Sequence, residues 1–175
     1  MLKKLILALA ALTLFAFTTP TAFGFGAYAD IPLNFTFDDC TNCKYDSTPS
    51  GLKAGVVMGN GVGLGITTFD VKGTGASSNI TASFTLFDVS YLLPIPLINL
   101  TAGISGGPVS IGDGNFDLEG NMMGPWASIG FPILIADIHI GYHKYKGNAS
   151  NDLGGVTVTQ VMDSTMISIG TLINF

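Results

Sequence analysis

Three side chains capable of acid–base or metal chemistry lie close together in the segment ADIHIGYHKY. Asp137, His139 and His143 are all odd-numbered, so in a β-strand they project from the same face. Alternate residues of a strand are about 6.8 Å apart, which makes Asp137 and His139 neighbours. A carboxylate beside imidazoles could bind a metal ion or relay protons. The alternative is a polar network in an enclosed interior, in which these groups pair with Asp30, Lys53 or Asp88. We favour the network and predict no metal site, no cofactor and no catalytic residue.

Cys40 and Cys43 form the second candidate, a C-x2-C motif. In a cytosolic protein this spacing would suggest redox chemistry or half of a zinc site. The chain has no other cysteine, and no histidine is near the pair in sequence. In an exported protein we therefore favour a small disulfide that staples a loop. A free or metal-bound pair is the alternative.

The N-terminal segment indicates export. Lys3 and Lys4 precede an apolar run from Leu5 to Phe17, and small residues follow at Ala22 and Gly24. This order is typical of a secretory signal peptide, and the run is short for a membrane span of about 20 residues. We predict a signal peptide over residues 1–24, with cleavage after Ala22 as the second choice. A single mature domain over residues 25–175 follows.

Composition narrows the class of protein. Charged residues make up only 11% of the chain, mean hydropathy is +0.50, and arginine is absent. The most apolar mature stretch, LFDVSYLLPIPLINL, contains Asp88, Pro94 and Pro96, which excludes a transmembrane helix. The mature domain is acidic and has no basic patch, so we exclude nucleic acid as a partner. An exported, apolar chain without membrane helices fits a closed β-barrel in an outer membrane.

Alternation of apolar and small or polar residues predicts eight strands. On the first strand we place Ile31, Leu33, Phe35 and Phe37 together on the lipid-facing side. On the fourth strand the apolar parity changes between Leu86 and Phe87, so we predict a β-bulge there, with Phe84 facing lipid. The predicted strands lie in FGAYADIPLNFTF, GLKAGVVMG, VGLGITTFDVK, NITASFTLFDVSYLL, LINLTAGIS, GPWASIGF, ADIHIGYHKY and STMISIGTLINF.

The connections between these segments alternate in length. GNG, PIP and PIL are tight, whereas DDCTNCKYDSTPS, GTGASS, GGPVSIGDGNFDLEGN and GNASNDLGGVTVTQVMD are predicted as long loops. Short turns at one end and long loops at the other are typical of outer-membrane barrels. A soluble lipocalin-type barrel, with an apolar interior and a polar exterior, is the alternative. We predict an all-β, eight-stranded antiparallel up-and-down transmembrane β-barrel.

These features together resemble the small outer-membrane barrels of the outer membrane protein A and W type. In that group a terminal aromatic residue with apolar residues at alternate preceding positions is read by the outer-membrane barrel assembly machinery. Ile167, Ile169, Ile173 and Phe175 match this assembly signal, and Thr171 is a polar departure from it. The resemblance is architectural and covers most of the mature chain. It implies a monomer in contact with outer-membrane lipid, with both termini periplasmic.

Function follows less directly from the architecture, because one fold hosts many functions. Enzymes of this architecture need signatures that are missing: no His-x-Ser occurs for a lipid A deacylase, and the chain is too short for an outer-membrane protease. We therefore predict a non-enzymatic barrel with a structural or surface-interaction role through its extracellular loops. The alternative is a narrow channel or carrier for small or apolar solutes, because many inward positions are glycine or serine. The sequence names no extracellular partner.

Overall fold

A computed structural model describes residues 25–38, 45–74, 78–95, 97–113, 116–133 and 136–175. The predicted signal peptide over residues 1–24 lies outside these ranges. The described strands are β1 (Phe25–Phe37), β2 (Ser50–Met58), β3 (Val62–Lys72), β4 (Thr81–Ile95), β5 (Ile98–Gly112), β6 (Asp117–Ile133), β7 (Ala136–Leu153) and β8 (Val156–Asn174). No helix in the described ranges is long and apolar enough to cross a membrane.

The strands form a closed barrel in which each strand pairs antiparallel with the next and β8 pairs with β1. The two ends of the strand order meet at the chain termini, where the Phe175 N–H donates to the Phe25 carbonyl oxygen at 2.8 Å. Because the sheet closes on itself, backbone groups find partners without water, which is what a strand in lipid requires. The end of the barrel that carries Phe25, Phe175 and the turn at residues 59–61 is called the terminal half. The opposite end is called the distal half.

Two of the distal connections, β5–β6 and β7–β8, are shorter than predicted. The segment after β7 was predicted as a long loop, but β7 and β8 continue as an extended hairpin that is closed by Gly154 and Gly155 alone. Both glycines have positive φ, 59° and 97°, as a tight two-residue hairpin turn requires. Likewise β5 runs to Gly112 and β6 starts at Asp117, so most of the third predicted loop, GGPVSIGDGNFDLEGN, is strand.

An apolar belt surrounds the terminal half. Outward side chains at this level are exposed and large, for example Phe87 at 61% and Ile140 at 54%. On β4 the belt covers residues 87–95, close to the roughly 9–11 residues of a membrane-spanning strand. The belt is formed by Ile31, Leu33, Leu64, Ile66, Phe87, Val89, Leu100, Ile104, Ile129, Phe131, Ile138, Ile140, Tyr142, Ile167, Ile169 and Ile173. A soluble barrel would not present such a ring to water.

The pattern inverts in the distal half. There most exposed outward positions are polar, including Thr68, Asp70, Ser83, Glu119 and Asn121, although Met123, Val158 and Val161 are also exposed. The inward positions form a hydrophobic core, called here the apolar plug: Phe35, Phe69, Val71, Ala82, Phe84, Leu86, Val109, Ile111, Met122, Tyr145, Ala149, Met162 and Met166. β7 and β8 have 18 and 19 residues, more than the roughly 9–11 that cross a membrane, so the barrel continues beyond its belt.

This inversion corrects the predicted bulge on β4. Pairing with β3 is continuous from Thr81 to Tyr91, and the side chains alternate between lumen and exterior without a slip. Phe84 was predicted to face lipid, but Phe84 and its same-face neighbour Leu86 are 1% and 0% exposed inside the barrel. The apolar residues change from even to odd positions because the distal part of the strand has a polar exterior, whereas its terminal part carries the apolar belt. The backbone itself does not shift.

A register shift does occur on β1. Pro32 pairs with Ser168 and Asn34 pairs with Ile167, which leaves Leu33 as the extra residue of a bulge. The prediction that Leu33 and Phe35 share a face is therefore wrong: Leu33 is 49% exposed and Phe35 is 2% exposed. The bulge turns Phe35 into the apolar plug.

Candidate functional site

The six polar residues singled out from the sequence all lie in the barrel interior. Their positions on β1, β2, β4 and β7 have the inward parity of the pleat at the level of the belt. Exposed fractions are at most 9% for the whole set: Asp30, Lys53, Asp88, Asp137, His139 and His143. At this level the exterior of the barrel is the apolar belt, so these groups must find their partners inside the lumen.

The first cluster is centred on His139. Its Nε2 lies 2.8 Å from Asp30 Oδ1, and its Nδ1 lies 3.9 Å from Asp137 Oδ1. The Asn99 side-chain amide donates to the other oxygen of Asp137. Asp30 and His139 are on strands that do not pair, and they meet across β8 because both are in register with Gly170. A glycine at that position leaves the space in which the Asp30 carboxylate lies.

The second cluster is centred on Asp88. Thr67 donates its hydroxyl to Asp88 Oδ2 at 2.6 Å, and the Ser105 hydroxyl donates to Oδ1. Lys53 Nζ lies 3.6 Å from the same carboxylate, and both groups are about 1% exposed or less. The ammonium also lies over the Trp126 ring, 3.0 Å from its centroid. A cation on a desolvated indole face is a favourable arrangement, so Trp126 helps to hold the buried lysine.

His143 belongs to a neutral part of the network. Its Nε2 is 3.1 Å from Ser168 Oγ, and its Nδ1 is 3.0 Å from Tyr145 Oη. The ring stacks on Trp126 with centroids 5.5 Å apart. A neutral imidazole with one donor and one acceptor nitrogen satisfies both hydroxyl contacts.

Several partners in these clusters were not singled out from the sequence. The inward parity of their strands would have identified Tyr28, Thr67, Asn99, Ser105, Trp126, Tyr145 and Ser168 as lumen residues. Parity alone does not say which of them meet. That depends on the register between strands, which pairs Asp88 with Ser105 directly.

The inward glycines do not leave the lumen open. At Gly65 a Cβ atom would overlap Tyr28 Oη, at Gly103 it would lie 2.8 Å from the Trp126 ring, and at Gly63 it would overlap Ser90 Oγ. Each glycine therefore accommodates a large or polar side chain from a neighbouring strand. The cavity that remains in the terminal half has a volume of about 20 Å³, close to that needed by one water molecule.

The apolar plug closes the lumen on the distal side. Phe69 stacks on Phe84 with centroids 4.5 Å apart and an interplanar angle of 15°. Phe35 contacts both rings at 5.3 Å. Because these rings are at most 2% exposed, they form a packed core across the described part of the distal lumen.

An ionic cluster lies on the outer surface just above the belt. Lys144 Nζ is 2.6 Å from Asp38 Oδ2 and 2.5 Å from Asp163 Oδ1, and Lys146 is 3.1 Å from Asp163 Oδ2. The hydrogen bond from Lys144 is the main cause that lowers the pKa of both Asp38 and Asp163. The same bonds, with Asp163 first, raise the pKa of Lys144. The cluster joins β7, β8 and the end of β1 at the level where the outer surface becomes polar.

The remaining predicted positions are those of the assembly signal and of the cysteine pair. Ile167, Ile169 and Ile173 face outward in the belt and are 38%, 37% and 39% exposed, and Phe175 is 74% exposed. Cys40 and Cys43, the predicted disulfide, lie outside the described residues. In the described ranges no group of three or more His, Cys, Asp or Glu side chains is arranged to hold a metal ion.

No protein-family model matches the chain, and no curated protein sequence matches it. Solved structures do match. The chain is similar to Neisserial surface protein A (NspA) in its crystal structure, with a TM-score of 0.60 and 16% identity over 87% of this chain and 97% of that chain. It also matches outer membrane protein AlkL, whose structure in DMPC lipid bilayers was solved by solid-state NMR. That TM-score is 0.46, with 11% identity over 87% of this chain and 90% of that chain. The fold is that of the small eight-stranded outer-membrane barrels.

Proposed function

We propose that this protein is a non-enzymatic barrel of a bacterial outer membrane, with a structural or surface-interaction role carried by its distal half and loops. The observation that carries the proposal is the inversion along the strands. The terminal half has an apolar exterior and an interior rich in polar groups, as a membrane segment needs. The distal half has a polar exterior and the apolar plug inside, as a water-exposed platform needs. A platform of this kind holds loops and the β7–β8 hairpin in fixed positions.

The proposed orientation has both termini in the periplasm and the distal half outside the cell. Short turns at the periplasmic end and longer hairpins outside are the usual asymmetry of such barrels. We propose a monomer that contacts lipid through the belt. The outer-membrane barrel assembly machinery would insert it by recognising Ile167, Ile169, Ile173 and Phe175.

Epitope insertion tests the orientation. A tag placed between Gly154 and Gly155 is expected to bind antibody on intact cells. The same tag at Asn60, in the turn of the terminal half, is the matched control and is expected to bind only after the outer membrane is permeabilised. The reverse pattern would show that the orientation is wrong.

A narrow channel or carrier for small or apolar solutes is the competing function. The lumen argues against it, because the plug rings are packed and the glycine positions are filled by Tyr28, Ser90 and Trp126. In planar bilayers the purified barrel is expected to show no stable unitary conductance steps. A variant that replaces Phe35, Phe69 and Phe84 with alanine empties part of the plug and is the positive control. Stable steps from the unmodified protein would overturn the proposed function in favour of the channel.

A further inference from the structure

The charges in the described part of the lumen do not balance. Asp30, Asp88 and Asp137 are each at most 2% exposed, whereas the only buried groups there that can carry positive charge beside them are Lys53 and His139. His143 is left out of this count because both of its ring nitrogens contact hydroxyl groups and it forms no ion pair with a carboxylate in the described residues. Even with a protonated His139, one negative charge is left over.

The geometry shows which carboxylate is left without a cation. Asp88 has Lys53 at 3.6 Å, and Asp30 has His139 at 2.8 Å. Asp137 has an amide donor on one oxygen, and its Oδ1 is buried without a hydrogen-bond partner, with the His139 ring at 3.9 Å. A buried carboxylate oxygen without a partner is unfavourable unless something outside the protein satisfies it.

An independent observation indicates what is missing. Three further buried polar atoms without partners belong to residues that line the same cavity as Asp137: Tyr28 Oη, Ser90 Oγ and Trp126 Nε1. The indole N–H can only donate, so a water oxygen beside it would supply the acceptor that it lacks. With a volume of about 20 Å³ the cavity accepts one water or one small ion and no larger solute.

We propose that this cavity is a binding site for one positive charge, carried either by a proton with one bound water or by one small inorganic cation in place of that water, which neutralises Asp137. In the proton form, water accepts from Trp126 and bridges to a carboxyl group that shares its proton with the His139 cluster. In the cation form, the ion contacts Asp137 Oδ1 and the hydroxyl oxygens of Tyr28 and Ser90, which have no other hydrogen-bond partner among the described residues. The charge enters from the terminal end, where Ser128 and His139 are 7% and 9% exposed and the apolar plug does not reach.

The groups that could compete for the charge are few. Charged or titratable side chains facing the cavity region come from β1 (Tyr28 and Asp30), β2 (Lys53), β4 (Asp88) and β7 (Asp137, His139, His143 and Tyr145). The network residues on β3, β5, β6 and β8 are uncharged: Thr67, Asn99, Ser105, Trp126 and Ser168. Removing the charge of Asp137 should therefore abolish the requirement, because the other two carboxylates keep their cations.

The test measures the unfolding temperature of the purified barrel in detergent. One arm lowers the pH from about 8 to about 5, across the range in which histidine titrates. The other arm adds sodium or potassium chloride at fixed pH, with choline chloride at equal ionic strength as the reference. The protein is compared with Asp137→Asn and with Ser128→Ala, which lines the same cavity and carries no charge.

If the charge is a proton, the folded state binds more protons than the unfolded state, so the unfolding temperature rises as the pH falls. If the charge is a metal cation, the temperature rises with sodium or potassium and not with choline. Asp137→Asn is expected to reduce this dependence, because it removes the leftover negative charge, and Ser128→Ala is expected to keep it in full. A parent protein that responds to neither pH nor cation would overturn the proposal, and so would an Asp137→Asn variant with the full parental response.

Discussion

The inversion of the barrel predicts very different effects for two phenylalanines on the same strand. Phe84 is 1% exposed, stacks on Phe69 and contacts Phe35, whereas Phe87 is 61% exposed in the belt. Phe84→Ala removes a core ring and leaves a cavity that packed neighbours cannot fill, at a cost of about 3–5 kcal/mol. Phe87→Ala leaves space that lipid chains fill, and the insertion free energy of phenylalanine suggests a cost under about 1 kcal/mol.

Urea unfolding in lipid vesicles measures both values. Trp126 is the single tryptophan of the chain and lies in the lumen, so its fluorescence reports loss of the barrel interior. Linear extrapolation gives the free energy of unfolding for each variant. If β4 instead had a bulge between Leu86 and Phe87, both rings would face lipid and the two variants would lose similar stability. Equal losses, or a larger loss for Phe87→Ala, would refute the inverted arrangement.

Three further predictions concern assembly and packing. Deletion of Phe175 is expected to prevent insertion while Asn174→Ser assembles normally; equal amounts of heat-modifiable protein in the outer-membrane fraction would count against the assembly signal. Ile140→Lys places an ammonium in the belt and should cost about 2–4 kcal/mol in urea unfolding near the midplane, so a tolerated lysine would contradict the facing of β7. Gly63→Ala should lower the unfolding temperature because its Cβ overlaps the Ser90 hydroxyl, and adding Ser90→Ala should restore most of the loss. Independent, additive effects of the last two substitutions would show that the lumen is looser than described.

The sequence predicted the architecture because two signals were strong: alternation in every strand, and short turns at one end. It did not predict the level along the strands at which the surroundings of the outer face change from lipid to water. Phe84 and Phe87 are both apolar and have opposite parity, and parity can be assigned to a face only when the solvent outside each residue is known. If lipid is assumed along the whole strand, a bulge is needed to place both rings on the lipid-facing side. If water surrounds the distal half, no bulge is needed.

The bulge on β1 was not predicted, for the opposite reason. Leu33 and Phe35 have the same parity and are both apolar, so nothing in the alternation reveals that one faces lipid and the other the plug. The β7–β8 hairpin was a different kind of miss. Gly154–Gly155 between β-branched and apolar residues is a recognised two-residue turn signal, but polar residues around it favoured a loop.

In the candidate site, the odd or even position of a residue on its strand was enough to assign it to the interior. It was not enough to show which residues contact one another. Asp30 and His139 come from strands that are far apart in sequence and meet only because β8 contributes a glycine between them. Pairing of this kind depends on the relative register of three strands, which a single sequence does not contain. The imbalance of charge around Asp137 likewise becomes visible only when each carboxylate has been matched to its cation.

The position of the polar clusters follows from the same inversion. A strand has two faces, and each face takes the character that its surroundings require. Within the belt the outer face meets lipid, so the stabilising apolar contacts are outside and the inner face can carry Lys53 and Asp88, provided that they pair. Above the belt the outer face meets water, so apolar burial must come from inside, and Phe69 and Phe84 take the positions that polar residues hold below. The barrel therefore has two different interiors stacked along its axis, a polar one within the belt and the apolar plug in the distal half. The plug fills the distal lumen because apolar burial in that half must come from inside the barrel.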